Sequence, residues 1–429
     1  MVVRFGSIAL LCECLLPGLN IVVYQNGSIA NGSRPNPTTP LPRPITCYGA
    51  FNANFRNGLG FRFWLLKLVC LKDYILDATT HGRSPPNGRA VKGVSKPHRA
   101  RVSPDEPAPY GALDLGTNNC RLLIAQSSGS GLHVVDAFSR IVRLGEGVSR
   151  SGLLSDAAMV RTIEALRVCS NKLKWHRVEK RRLIATEACR LATNGAEFIA
   201  RVEHETGLKL EVIDRETEAR LAASGAEPLI DPEAKSAVIF DIGGGSTEVM
   251  WMQLEGSRYE LKAWISLAAG VVTLSEKHDG GKEVSPETFA KMRAHVKELL
   301  APFHAKVSEL FGNAPVPTHL LGTSGTVTTI AGVHLGLRHY DRSKVDGCWL
   351  DSEGAGLVTA RLLAMTYDER MGNGCIGRER ADLVLAGCAI LEEIRCAFPA
   401  PRIRVADRGL REGILMQMIA ADRLKDVKI

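Results

Sequence analysis

From Tyr110 onward, short runs of β-branched and aliphatic residues alternate with longer stretches of helical periodicity. YGALDL, RLLIAQ and LHVVDAF read as three consecutive strands. Residues 155–174 carry apolar positions at helical spacing, with Ser155 as the expected N-cap. RRLIATEA then reads as a strand, GAEFIARVEHETG as a helix, LKLEVI as a strand and ETEARLAASGA as a helix. Strands resume at SAVIFDI, TEVMWMQL and YELKAWIS. Further helices are predicted over 285–302, 325–335, 353–364, 378–396 and 408–422. This alternation predicts an α/β fold. The pattern supports a first α/β domain over 110–230 and a second over 231–429, with the last helix free to pack back on the first.

Residues 1–109 have a different texture. Asn, Gly and Pro punctuate them throughout, and only FRFWLLKLVCLKDYIL (61–76) suggests a short amphipathic helix. They are expected to form a low-complexity, mostly disordered leader without chemistry of its own. The alternative is a basic arm that docks on a polyanion. Charge supports the division. Residues 1–109 hold 13 Lys+Arg and 5 Asp+Glu, whereas 110–429 hold 54 − 13 = 41 basic and 46 − 5 = 41 acidic residues. A body of zero net charge argues against a nucleic-acid partner held by a basic surface. No apolar run approaches the ~18 residues of a membrane helix, so no membrane partner is expected. Glu13 and Pro17 interrupt the apolar stretch at the N-terminus, against a signal peptide. The 11 cysteines are scattered, with no CxxC and no zinc spacing, and read as reduced thiols in a cytoplasm.

One grammar occurs twice. Tyr110–Arg121 reads apolar strand, Asp114, Gly turn, second strand; Ala237–Met250 reads apolar strand, Asp241, Gly243-Gly244-Gly245, Ser246-Thr247, second strand. Two copies predict a duplicated α/β unit facing itself across a cleft. Glycines let backbone N–H groups approach an anion, and successive N–H groups in a turn form a nest for phosphate oxygens. Thr117, Asn118, Asn119, Ser246 and Thr247 add neutral donors. Asp114 and Asp241 at the strand ends suit a hydrated Mg²⁺, which takes one or two carboxylates plus phosphate oxygens. A third turn, LLGTSGTVTTIAG (320–332), opens a helix near Gly325 and offers Ser324 and Thr326 as further anion donors. Neither GxxxxGK[ST] nor a GxGxxG after the first strand is present, so phosphate binding falls to the paired hairpins.

DLGTNNCRLLIA, DIGGGSTEV and GTSGTVTTIAG together resemble the phosphate loops of the actin, sugar-kinase and heat-shock ATPase superfamily, whose domains are actin-like (ribonuclease H-like). RLGEGV, ATEACRLA, ETEARL and ADRGLREGIL narrow the resemblance to the exopolyphosphatase/guanosine pentaphosphatase phosphohydrolases over about 110–420. The resemblance implies hydrolysis of the terminal phosphoanhydride of inorganic polyphosphate or guanosine pentaphosphate, with Mg²⁺ or Mn²⁺ as cofactor. It makes Glu218 the catalytic carboxylate, Glu248 a metal or water partner beside Asp114 and Asp241, and Arg190 a phosphate ligand at the end of the ATEACR strand. Arg121 and Arg143 are weaker phosphate candidates. Glu187 has no assigned role, and His278-Asp279 reads as a loop accident. The added C-terminal helical domain of longer members has no counterpart before Ile429, which implies less grip on long polyphosphate. A homodimer is left open. Two other readings stand beside this one: an ATP-dependent kinase or ATPase of the same superfamily, and a non-catalytic regulator that binds guanosine tetraphosphate.

Overall fold

The structure is a computed structural model. It describes residues 107–128, 131–312 and 316–426, together with the backbone of four strands among the first 46 residues. The chain divides into two compact units, Met1–Ala100 and Arg101–Ile429. In the first, Val2–Phe5, Ile8–Cys14, Leu19–Tyr24 and Ile45–Thr46 pair in chain order as an antiparallel sheet. These strands were not expected from the sequence; the β-branched and aliphatic content of IALLCEC and LNIVVY accounts for them. The expected 61–76 helix, and the disorder expected of the other leader residues, lie outside the described residues.

The second unit contains two sheets built on one plan. In the first sheet, β1 (Tyr110–Leu115), β2 (Asn119–Ser128) and β3 (Gly131–Ile141) form an antiparallel ribbon, and β4 (Lys180–Ala185) and β5 (Glu211–Val212) add in parallel, giving the order β3-β2-β1-β4-β5. In the second sheet, β6 (Ser236–Ile242), β7 (Thr247–Glu255) and β8 (Arg258–Leu267) repeat the ribbon. There β9 (His319–Thr323) pairs in parallel with β6, followed by β11 (Arg402–Ala406) and, antiparallel at the edge, β10 (Trp349–Asp351). The repeated strand–Asp–turn–strand grammar is thus the first hairpin of each sheet.

The central strands are buried on both faces, as strands covered by helices are. Along β6, Val238, Phe240 and Ile242 enter one core, while Ala237 and Ile239 enter another. Along β1, Leu113 and Leu115 point to one side and Tyr110 and Ala112 to the other. Helix α1 (Asp156–Trp175) begins where expected, its N-cap Ser155 accepting from the Ala158 N–H at 3.3 Å.

Two helices cross the chain order. Helix α4 (Arg215–Ala226), which precedes every strand of the second sheet, buries Ala219, Ala222, Ala223 and Ala226 against Ile239, Met250 and Met252 of that sheet. The last helix, α10 (Leu410–Asp426), buries Leu410, Ile414, Leu415 and Ile419 with Tyr110, Ala112 and Leu123 of the first sheet. The two helices meet backbone to backbone. A Cβ on Gly225 would lie 1.9 Å from the Gly409 carbonyl oxygen, and one on Gly413 would lie 2.0 Å from that of Leu221. Only glycine admits this approach, and it fixes where α4 projects its first turn.

Candidate active site

Both first hairpins point their turns into one cleft. The β1–β2 turn is drawn tight by the Gly116 N–H donating to the Asn119 carbonyl at 2.9 Å, and the Asn118 carbonyl accepts from the N–H groups of Val142 and Arg143. The β6–β7 turn is held by the start of helix α5 (Val271–Lys277): Val271 and Val272 N–H donate to the carbonyls of Gly243 and Gly244 at 3.0 and 2.8 Å. The turns touch. A Cβ on Gly244 would be 3.0 Å from the Asn118 Cβ, and one on Gly245 would be 2.5 Å from Thr117 Oγ1. The third turn leads into helix α6 (Ser324–His334), whose N-cap Thr323 makes no side-chain capping bond and instead donates to the Arg408 carbonyl. Ser324 has φ +79°. A non-glycine residue in the left-handed region costs on the order of 1–3 kcal/mol and is retained where the surroundings over-determine it.

Most of the predicted residues line this cleft: Asp114, Thr117, Asn118, Asn119, Arg121, Glu218, Asp241, Gly243, Gly244, Gly245, Ser246, Glu248, Ser324, Gly325 and Thr326. Two do not. Thr247 is fully buried and its hydroxyl donates to the Ala269 carbonyl at 2.6 Å, because it sits one residue into β7 and points away from the turn. Arg190 was expected to end a strand and grip phosphate. The strand stops at Ala185, and Arg190 lies on a short helix, Glu187–Leu191. Its guanidinium is already engaged: Nε and Nη2 donate to Glu187 at 3.0 and 2.7 Å, Nη1 to the Ile213 carbonyl at 2.7 Å, and Nη2 to Glu218 at 2.7 Å. Arg190 therefore positions Glu218. Arg143 is also structural, with a two-pronged bond to Asp382 at 2.8 and 2.9 Å.

The sequence reading missed several lining residues. Arg380 and Arg411 reach the cleft from distant segments, as do Thr186, Glu187, Asp407 and Glu412. Arg411 lies in ADRGLREGIL, which marks the family without marking the arginine, and Arg380 has no local signal. Glu187 is the hub of an ion-pair chain, its side chain 3% exposed, with Arg215 donating to both of its oxygens and Arg190 to Oε2. Burial alone would raise its pKa, but Arg215 and Arg190 outweigh that and hold it below the usual carboxylate value.

The acids of the two glycine turns have no such support. Asp114 and Asp241 form no ion pair among the described residues. Burial raises Asp114 despite the attraction of Arg121, and lifts Asp241 to about 6 with help from Asp114. Asp241 and Glu248 are directly opposed across the β6–β7 ladder, so two like charges share one face. Burial, then Glu218 and Asp241, raise Glu248 well above an ordinary carboxyl, although Ser246 and Ser266 hydroxyls donate to it at 2.9 and 2.8 Å. Burial lifts Glu218 to about 7, against the pull of Arg190. The buried Oδ1 atoms of Asn118 and Asn119 have no hydrogen-bond partner among the described residues.

Such a set fits a hydrated divalent cation. It offers ionisable oxygens that gain from a positive neighbour and orphaned amide oxygens able to accept from metal-bound water. No group of three or more His, Cys, Asp or Glu side chains converges as a ligand cage among the described residues. The fit is therefore to one or two carboxylates with phosphate oxygens and water completing the sphere, the habit of Mg²⁺.

A model of the Ppx/GppA phosphatase family matches residues 123–421. The chain belongs to the Ppx/GppA phosphatase family. Exopolyphosphatase 2 of Mycobacterium tuberculosis is 30% identical over 325 residues, which span 72% of this chain and 97% of that one. The guanosine-5′-triphosphate,3′-diphosphate pyrophosphatase of Vibrio cholerae is 28% identical over 319 residues, 74% of this chain and 61% of that protein. Among solved structures, an exopolyphosphatase from Cytophaga hutchinsonii matches with TM-score 0.67 at 26% identity, over 73% of this chain and 98% of that one. The Aquifex aeolicus member of the Ppx/GppA family matches with TM-score 0.60 at 29% identity, over 73% and 98%. As a Ppx/GppA protein the chain is a hydrolase acting on acid anhydrides. No helix among its described residues is long and apolar enough to cross a membrane.

Proposed function

We propose that this protein removes the terminal phosphate of inorganic polyphosphate or of guanosine pentaphosphate by in-line attack of water, assisted by Mg²⁺ or Mn²⁺. The observation that carries this reading is Glu218. It lines the cleft between the two glycine turns, is 13% exposed, and is fixed by Arg190 at 2.7 Å. Its pKa of about 7 is that of a general base matched to neutral pH. The glycine turns, with Thr117 and Ser246, and the uncapped N-terminus of α6 supply donors for phosphate oxygens. Arg121 and Arg411 add charge. Glu218 takes a proton from the water whose oxygen bonds to the terminal phosphorus. The bridging P–O bond breaks, and orthophosphate and the shortened chain leave. Neutralisation of the developing charge on the phosphate oxygens is what Mg²⁺ would supply when held by Asp114 and Asp241.

The test is orthophosphate release from tripolyphosphate, long-chain polyphosphate and guanosine pentaphosphate, by wild type and by Glu218→Gln. The variant should bind substrate and turn over slower by a factor on the order of 10² or more. Retention of more than about half the wild-type rate would move the base elsewhere. ATP-dependent phosphoryl transfer without water-driven release would favour a kinase instead.

A further inference from the structure

The cleft continues past Arg380. This side chain lies over the third turn, 3.2 Å from where a Cβ on Gly325 would stand, and it lines the cleft. The same residue also lines a second, shallow groove, walled by Ser139, Arg140 and Ile141 on one side and by residues 376–380 on the other. The first wall is the end of β3 in the first sheet; the second precedes helix α9 (Val384–Ala397), which belongs to the core of the second sheet. Arg143 fastens the walls together beside the groove, through its pair with Asp382 and a 3.0 Å bond to the Glu379 carbonyl. The groove is thus held in place across the two sheets.

Its charge is one-sided. Arg140, Arg378 and Arg380 line it against Glu379 alone. None of the three arginines forms an ion pair among the described residues; Arg140 rests over the Phe138 ring, 5.4 Å from its centroid. The body has equal numbers of acids and bases, so this is a local concentration of cations. Burial, and then repulsion from Arg121, lowers the Arg380 pKa. Tyr340, Asp407 and Glu379 offset this only in part, and a guanidinium held near another is relieved by an anion.

We propose that this groove is a second anion subsite, which holds phosphate groups of the substrate beyond the one being cleaved. The proposal rests on the hydrolase reading above. Arg380 joins the two sites, and Arg140 and Arg378 grip phosphates that leave the cleft. Those phosphates come from a long polyphosphate chain or from the 3′-diphosphate of guanosine pentaphosphate.

The experiment is the full chain carrying Arg140→Ala and Arg378→Ala. Both side chains are exposed, so the melting temperature should not move. Steady-state constants are measured on tripolyphosphate, long-chain polyphosphate and guanosine pentaphosphate at low and moderate salt. Tripolyphosphate hydrolysis should be unchanged. KM for long-chain polyphosphate should rise about tenfold, as loss of charge-assisted hydrogen bonds predicts, and its salt dependence should become shallower. A loss confined to guanosine pentaphosphate would support the same subsite with the 3′-diphosphate as its occupant. Equal losses on all three substrates, or no loss on either extended one, would overturn it. If wild type hydrolyses none of them, the hydrolase reading fails by itself. Titration of long-chain polyphosphate onto wild type and double variant then still decides the groove, by whether the variant binds about tenfold more weakly.

Discussion

Arg190 makes the sharpest demand on this structure. Its side chain is 15% exposed and neutralises two carboxylates that are 3% and 13% exposed. Arg190→Met removes the charge and all four hydrogen bonds while keeping much of the stem. Breaking a buried pair by deleting one partner costs about 3–5 kcal/mol. Here the cost depends on pH with a definite sign. Without Arg190, burial and the repulsion of Asp114 and Asp241 push Glu218 above its present value of about 7. A carboxyl whose folded pKa lies above its unfolded value is stabilising below the unfolded value, and that stability is lost as pH rises through the folded one. The variant should therefore be destabilised by several kcal/mol at pH 8 and by clearly less at pH 5. Urea unfolding at both pH values reads the first effect. The second is kinetic: the acidic limb of the kcat–pH profile should move to higher pH, since the base ionises later. A drop in kcat with an unmoved profile and a pH-independent loss of stability would refute the positioning role and return Arg190 to phosphate binding.

Without metal, the raised values of Asp241, about 6, and Glu218, about 7, favour the fold below their unfolded pKa near 4 and lose that advantage as pH rises to 7. Metal-free protein should melt higher at pH 5 than at pH 8, and Mg²⁺ should restore more at pH 8; chelator should abolish turnover, and undiminished hydrolysis in excess chelator would remove the metal from the mechanism. Gly225→Ala drives a methyl to within 1.9 Å of the Gly409 carbonyl and should cost about 1–3 kcal/mol by overpacking, with a fall in kcat because α4 carries Glu218; an unchanged urea midpoint would show that the helix pair can separate freely. A chain starting at Pro107 should keep its melting temperature and its KM for long polyphosphate, whereas a salt-sensitive rise in KM would make residues 1–106 a basic arm.

The two hairpins, the Asp–Gly grammar and the alternation of strand and helix were legible in the sequence because each depends on neighbours within a few residues. An apolar run ending in Asp and Gly predicts a strand and its turn wherever the sheet lies. The same local logic placed Ser155 as an N-cap and Glu218 on a helix. It failed where a segment's role depends on contacts from elsewhere. ATEACR read as strand because its residues suit one, yet the Thr186 N–H bonds to the Leu115 carbonyl and the chain turns into a helix there. Thr247 shares the composition of a phosphate turn but points the other way, a matter of strand parity set by β8. Arg380 has nothing in its own neighbourhood to mark it, and Arg411 and Glu187 lie in family-like runs that assign them no role. They matter because α4 and α10 cross at Gly225 and Gly413 and because the two sheets face each other, bringing Arg121, Arg380 and Arg411 to one cleft from positions up to 411 − 121 = 290 residues apart. Sequence determined which atoms can meet a phosphate. Burial and long-range packing decided which of them are free to do so: Arg190 spends its charge on Glu187 and Glu218, and Asp114 and Asp241 are left without an ion-pair partner among the described residues.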